Sequence, residues 1–329
     1  MHTDNSHADG VDPMFDDNLP ADHRSGFVTV VGRPNVGKST LVNRYLGQKI
    51  AIVSPKPQTT RNQLVGILTL PNSDYPDINA QVIFLDTPGI HRPHHKLGEY
   101  LVDTAQAALP DADVVVWLAD VTRPPGPEEE MVAGAIAAAR ARNDDRLPVI
   151  LALNKIDALT GDIIMTAAQP FLKLLPVTFW LPLSATRGDN LRELLEQIVG
   201  YLPPGPRYYP ADQVTDQQVR FISAELIREA ALNVLRQEVP HALAVQITEF
   251  TPRSEELTFI SANLILERDS HKRIVIGEKG QTLRKIGQQA RKQIADLTGT
   301  KIYLELWVKV RPKWRTKENE LKWLGYSTR

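Results

Sequence analysis

The chain has 329 residues, 42% hydrophobic and 23% charged, enough material for about two globular domains with sizeable cores. No stretch approaches the roughly 20 apolar residues of a membrane span, and no basic-then-apolar leader opens the chain. Cysteine is absent, which excludes disulfides, thiol catalysis and Cys-zinc sites and fits a reducing cytosol, while the net charge of −1 hides an asymmetry: from Gln217 onward 20 Lys and Arg face 13 Asp and Glu, so the second part is basic and suited to an anionic partner.

Residues 1–25 are Asp-rich and nearly without aliphatics, and are expected to form a disordered tail. Residues 26–202 alternate strand-like runs with helical patterns, which predicts an α/β domain: a mostly parallel sheet with helices on both faces. Candidate strands are Phe27–Val31, Gln63–Leu70, Gln81–Leu85, Asp113–Ala119, Pro148–Leu153 and Thr178–Leu183. Helical patterns follow most of them, at Thr40–Leu46, Leu97–Leu109, Glu128–Arg140, Asp162–Leu175 and Leu191–Leu202. Gln63–Leu70 runs into Gln81–Leu85 through a Pro/Asn/Ser/Asp turn, so a hairpin and one antiparallel edge strand are expected there. Ligands of such sheets bind beyond the carboxyl ends of the strands, and the polar motifs sit at those ends.

The first strand leads into Gly32–Ser39, GRPNVGKS, and then a helical pattern. In that context the glycines let backbone N–H groups of Gly32, Asn35, Val36, Gly37, Lys38, Ser39 and Thr40 wrap phosphate oxygens. Lys38 reaches the outer phosphates and the Ser39 hydroxyl ligates Mg²⁺. Next comes a polar loop, Ser54–Arg61, with two prolines. It is placed to order around a γ-phosphate, with the hydroxyl of Thr60, chosen over Thr59, completing the Mg²⁺ shell. Asp86-Thr87-Pro88-Gly89 follows a strand, so Asp86 can hold Mg²⁺ through water and the Gly89 N–H can meet the γ-phosphate. Asn154-Lys155-Ile156-Asp157 ends another strand. Its Asp157 carboxylate matches the two N–H donors on the edge of guanine, which adenine lacks. Asn154 would brace the loop and the base, and the Lys155 stem would cover the ring. At Ser184-Ala185-Thr186 a backbone N–H could meet guanine O6. The histidines at 91, 94 and 95 have no carboxylate or cysteine to complete a ligand set, and read as an exposed mobile loop.

Residues 203–216, with four prolines, read as a semi-rigid linker. Residues 217–310 then follow the order α-β-β-α-α-β. A G-x-x-G turn, Gly277-Glu278-Lys279-Gly280, lies between the last two helices and is preceded by Ile276. Lys272, Arg273, Lys279, Arg284, Lys285, Arg291 and Lys292 surround it, against Glu278 alone. Such a turn admits a nucleic-acid backbone and offers a helix N-terminus to its phosphates, and single-stranded RNA is the favoured partner. Residues 311–329 form a basic tail with Trp314 and Trp323; Trp314 is expected to pack on the domain rather than to stack a base.

GRPNVGKST, PQTTR, DTPGI, NKID and SAT, in this order, resemble the translation-factor-related class of small GTPases. The second domain resembles a type II KH domain. From about Gly26 to Tyr326 the chain resembles the bacterial Era family. That resemblance implies a P-loop GTPase domain followed by an α+β KH domain, with binding of GTP and GDP, Mg²⁺-dependent hydrolysis, and roles for Lys38, Ser39, Thr60, Asp86, Gly89, Asn154 and Asp157. It also implies binding of the 3′ end of 16S rRNA, maturation of the 30S subunit, a monomeric cytoplasmic protein, and peripheral contact with the inner face of the membrane. The residue after D-x-x-G is Ile90, where Ras-like switches place a water-orienting Gln, so intrinsic hydrolysis is expected to be slow. Asn35, by the same resemblance, helps hold K⁺ against the phosphates. The rival readings are a constitutive RNA-binding scaffold with a vestigial GTPase and a GTPase auxiliary to RNA modification. The intact Lys38, Asp86 and Asp157 speak against the first. The lack of a nucleophile-base constellation in 203–329 speaks against the second.

Overall fold

The structure, a computed structural model, describes residues 19–54, 56, 58–236 and 239–326. The tail over residues 1–18, and Pro55 and Pro57 of the polar loop, lie outside the described residues.

The first unit is a six-stranded sheet. Its strands are β1 (Arg24–Val31), β2 (Leu64–Thr69), β3 (Ala80–Asp86), β4 (Val114–Asp120), β5 (Val149–Asn154) and β6 (Phe179–Leu183), in the spatial order β2-β3-β1-β4-β5-β6. All neighbours pair parallel except β2 with β3, the predicted hairpin at the edge. The period-2 alternation of a strand sorts the buried side chains between two faces. Val114, Val116 and Leu118 of β4 face α1 (Lys38–Leu46) and α5 (Leu191–Tyr201). Val115, Trp117 and Ala119 face α2 (Lys96–Ala107), α3 (Pro127–Arg142) and α4 (Gly161–Leu172). The central strands are buried on both sides, which is why they read as continuous Val/Ile/Leu runs.

Two expectations about the margins change. Arg24 and Ser25, assigned to the tail, belong to β1. The Ser25 N–H donates to Pro203 O, and His23 pairs with Gly205. Residues 203–216 do not hang free: Ile67 N–H donates to Val214 O, the Thr215 hydroxyl to Val65 O, and the Gln81 amide meets the backbone of Tyr208 and Tyr209. The segment covers the β2 edge, whose open backbone groups would otherwise be a template for non-native pairing.

The second unit packs α6 (Val219–Val234), α7 (Asp269–Ile276) and α8 (Gln281–Thr298) on one face of a three-stranded sheet. That sheet comprises β7 (Ala244–Ser254), β8 (Leu257–Leu266) and β9 (Lys301–Val310). β7 and β8 are antiparallel, whereas β8 and β9 are parallel because a two-helix crossover joins them. α6 ends at Val234, with Leu235 N–H donating back to Ala231 O. The basic tail folds back through a short helix, α9 (Glu318–Trp323). Trp314 is fully buried, donating its indole N–H to Ala242 O, in a cluster with Leu97 and Leu101 of α2, Ile265, Leu321 and Tyr326.

Ile260 is fully buried at the centre of the second core. Ile260→Ala is expected to cost about 2–5 kcal/mol in chemical denaturation. On the open face of the same sheet Trp307 is 59% exposed, and Trp307→Ala should change stability by less than about 1 kcal/mol.

Candidate functional site

The loop of residues 32–37 crosses the carboxyl end of β1 before entering α1. A Cβ on Gly32 (φ +157°) would sit 2.2 Å from Leu118 O, and one on Gly37 (φ +107°) 2.4 Å from Asn154 Nδ2, so only glycine fits either place. Lys38 is buried and curls back, Nζ donating to Gly32 O (3.2 Å) and Arg33 O (3.1 Å). Burial pushes its ammonium down to about 8, against the pull of Asp86 and Glu129. A phosphate placed there would favour the charged form and raise it again.

Ser39, Thr60 and Asp86 come together although they lie on three segments. Ser39 Oγ donates to Asp86 Oδ2 at 2.6 Å and lies 2.9 Å from Thr60 Oγ1. The Thr59 hydroxyl turns away to Lys56 O (2.6 Å). Burial pushes the Asp86 carboxyl up to about 6, against the Ser39 hydroxyl and Lys38. Its Oδ1 is buried with no hydrogen-bond partner. An all-oxygen set with an orphaned carboxylate oxygen fits Mg²⁺ or one of its waters. Gly89 approaches Pro34 so closely that a Cβ would lie 2.5 Å from its nitrogen. Pro34, Asn35, Gly37, Lys38, Ser39, Thr40, Thr60 and Gly89 line one pocket, and Gln58 of the polar loop lines it too.

Asn154 joins three loops. Its amide N–H donates to Val36 O (2.7 Å), and its Oδ1 accepts from the N–H groups of Lys155 (2.8 Å) and Ala185 (2.9 Å). Lys155, in the left-handed region at φ 73°, sends Nζ to Asn35 O (2.9 Å) and Asp120 Oδ2 (2.8 Å). Asp157 is exposed and held by the Ser184 hydroxyl at 2.6 Å. In this structure the Ser184 N–H donates to Asp189 O and the Ala185 N–H to Asn154 Oδ1, while the Ser184 hydroxyl adds a contact to Asp157 that the motif did not announce.

Sequence reasoning missed a charged cluster beneath this loop. Arg33 pairs with Asp120 (3.2 Å) and Glu129 (2.8 Å), and Trp117 donates to Glu129 (3.4 Å). Burial pushes Asp120 up, yet the bonds from Lys155 and Thr122 outweigh it and hold the carboxyl below its usual range. An Asp closing β4 at the ligand end of the sheet was the available signal. The histidine loop also differs from expectation. His91 is buried, bonded to Gly89 O (2.8 Å) and Gln58 (3.0 Å), and His95 caps α2 by accepting from Gly98 N–H (2.9 Å).

In the second unit Gly277 (φ +72°) and Gly280 (φ +78°) bracket the turn between α7 and α8. A Cβ on Gly277 would meet Thr282 Oγ1 at 2.1 Å. Lys272, Arg273, Glu278, Lys279, Arg284 and Lys285 are exposed around it, while Ile276 is half-buried. A groove beside the turn is lined by Gly280, Leu283, Arg284, Gly287, Arg291, Leu304 and Leu306: an apolar floor with a basic rim.

The steric limits at the two turns separate the sites. Gly37→Ala should drive the P-loop off Asn154 and weaken nucleotide binding at least tenfold, a loss of about 1.4 kcal/mol or more, by nucleotide titration. Gly277→Ala should leave nucleotide binding unchanged and lower RNA affinity in a parallel titration.

A family model described as "50S ribosome-binding GTPase" matches residues 27–155, and one described as "KH domain" matches residues 238–315. GTPase Era of Halothermothrix orenii is 45% identical over 306 residues, spanning 92% of this chain and 99% of that one. GTPase Era of Leuconostoc citreum is 43% identical over 305 residues, spanning 92% and 97%. Among solved structures, Era in complex with MgGDPNP and nucleotides 1506–1542 of 16S ribosomal RNA superposes with a TM-score of 0.86 at 39% identity, over 93% of this chain and all of that one. A variant of Aquifex aeolicus Era bound to GDP·AlF4⁻ gives 0.85 at 39% identity, with the same coverage. By phosphate loop, guanine-specific motif, KH unit and similarity over nearly its whole length, this chain belongs to the Era family of GTPases.

Proposed function

We propose that this protein is a GTP-driven switch that binds 16S rRNA near its 3′ end through the second unit and serves assembly of the 30S subunit. The observation that carries the reading is how the polar loop is held. At Thr60 it meets Ser39 of the nucleotide pocket; at its neighbours it is gripped by the RNA-binding unit. Arg228 of α6, bidentate with Glu225, donates to Thr59 O, and Lys56 donates to Leu232 O and Leu235 O. Arg61, fully buried, donates to Leu243 O (2.9 Å) and His241 O (3.2 Å) and lies against the stacked rings of Trp314 and Tyr326. A γ-phosphate that pulls on Thr60 therefore pulls on contacts of the second unit, which is the differential interaction that a two-state device requires.

In this reading the loop of residues 32–40, with Lys38, cradles the phosphates. Ser39 and Thr60 ligate Mg²⁺ directly and Asp86 through water; the ion would neutralise charge on the outer phosphates. The Gly89 N–H meets the γ-phosphate, and Asp157, steadied by Ser184, reads guanine. Asn35 offers an oxygen donor for K⁺. Lys272, Arg273, Lys279, Arg284 and Lys285 hold RNA phosphates while bases enter the groove beside Ile276, Gly277 and Gly280. The protein acts as a cytoplasmic monomer. No described helix is long and apolar enough to cross a membrane, so any contact with the inner membrane face is peripheral.

Affinity for a single strand of the 16S 3′ end should differ between GDPNP and GDP complexes by about 5- to 150-fold. Arg228→Ala should collapse that ratio toward one while RNA binding persists. Equal affinities in the wild type would show that the nucleotide does not gate the RNA site. Turnover should also be faster in K⁺ than in Na⁺ buffers, and equal rates would remove Asn35 from a cation site.

A further inference from the structure

The position after D-x-x-G cannot orient water here. Ile90 is fully buried and packs in the core under β4 beside Val31 and Trp117, pointing away from the pocket. Hydrolysis still requires a group that aligns the attacking water. The structure brings another glutamine to the same pocket from a different segment.

Gln58 lines the phosphate pocket together with Lys38, Ser39, Thr60 and Gly89. It is held in the left-handed region at φ 60°, which is costly for a residue with a side chain and tends to persist where function uses it. Its Nε2 lies 3.0 Å from His91 Nε2, and His91 Nδ1 lies 2.8 Å from Gly89 O. A carbonyl only accepts, so Nδ1 carries the proton. With the imidazole neutral, His91 Nε2 is then the acceptor and Gln58 Nε2–H the donor. This fixes the amide orientation: one N–H goes to His91, and the second N–H and Oε1 remain to meet a water and a phosphate oxygen. His91 in turn is tied to the carbonyl of Gly89, the residue whose N–H is assigned to the γ-phosphate. We infer that Gln58 is the water-orienting residue of this GTPase, with His91 as the residue that positions it. The inference rests on reading the Ser39–Thr60–Asp86 pocket as the GTP site.

In the step concerned, the water oxygen bonds to the γ-phosphorus as the bond to the β–γ bridging oxygen breaks. The electron pair leaves on GDP, and the water's proton ends on inorganic phosphate. Oε1 of Gln58 accepts a hydrogen bond from that water and aims its lone pair; it takes no proton. Gln58 belongs to the loop that Arg228 holds at Thr59 O and that Arg61 anchors in the second unit, so the orienting group is tied to that contact.

The test uses the full chain in single-turnover hydrolysis of saturating GTP with Mg²⁺. Gln58→Ala should slow the chemical step about 10- to 100-fold. GDPNP affinity should stay within twofold, and affinity for GDP with aluminium fluoride should fall by a factor comparable to the rate loss. His91→Phe should give a smaller loss of rate with the same unchanged GDPNP affinity. Hydrolysis by Gln58→Ala within twofold of wild type overturns the inference, as does a rate loss matched by an equal loss of GDPNP affinity. Lys38→Ala is the control for the pocket itself: if it hydrolyses GTP at the wild-type rate, the site reading fails and not the role of Gln58 alone.

Discussion

The arrangement of the molecule depends on one buried guanidinium. Arg61 belongs to the loop beside the nucleotide pocket, yet its buried side chain bonds to residues of the second unit and the folded-back tail. Burial lowers its hold on the proton, against the Tyr326 hydroxyl beside it. Taking a cation out of water is expensive, and only good geometry offsets it. Here two backbone carbonyls, the Tyr326 hydroxyl and the faces of Trp314 and Tyr326 surround it. The next residue back, Thr60, has its hydroxyl against Ser39. One peptide bond thus separates a group of the phosphate pocket from a group locked in the RNA-binding unit. Neither end can shift far without the other.

Other contacts make that junction a surface rather than a tether. Glu229 of α6 accepts from Lys49, Val53 N–H and Gln293, tying both units through one buried carboxylate. Ile52 of the first unit packs into the core of the second, and Trp314 and Leu321 of the tail pack with Leu97 and Leu101 of α2. Thr59 and Arg61 of one loop beside the pocket, and His95 and Leu97 of the other, therefore touch the second unit. In the proposed switch, closing the pocket would also repack this interface, since packed interfaces move between discrete arrangements rather than bending continuously.

The two glycine turns show one physical solution used twice. At Gly37 and at Gly277 the backbone turns through positive φ where a side chain would strike a fixed atom, Asn154 Nδ2 in one and Thr282 Oγ1 in the other. Each turn delivers a helix N-terminus, α1 and α8, toward an expected anion. What differs is the surroundings. The first is buried, with Lys38 desolvated and Asp86 nearby, which suits a compact polyphosphate with its metal. The second is open, with a basic rim over apolar Leu283, Leu304 and Leu306, which suits a chain of phosphates and bases.

Local chemistry determined much of this from the sequence alone. Strand-turn-helix context located the phosphate loop, period-2 and period-3.6 patterns located both sheets and their helices, and the Pro/Asn/Ser/Asp turn after Gln63–Leu70 marked the one antiparallel edge, because each of these depends on residues close in the chain. Tertiary structure decided what depends on distant residues. Residues 203–216 look like a linker by composition, but the open edge of β2 binds them. His91 looks exposed by its polar neighbours, but it turns inward to Gly89 and Gln58. Ser184 also turns its hydroxyl to Asp157, a pairing between two loops that no local pattern announces. Asp120 and Glu129 gave no motif, because their pairing with Arg33 exists only where β4, α3 and the phosphate loop converge. Above all, the sequence held two sites some 240 residues apart, and only folding put Arg61 of one inside the other, since burial of a charge is settled by what surrounds it in space.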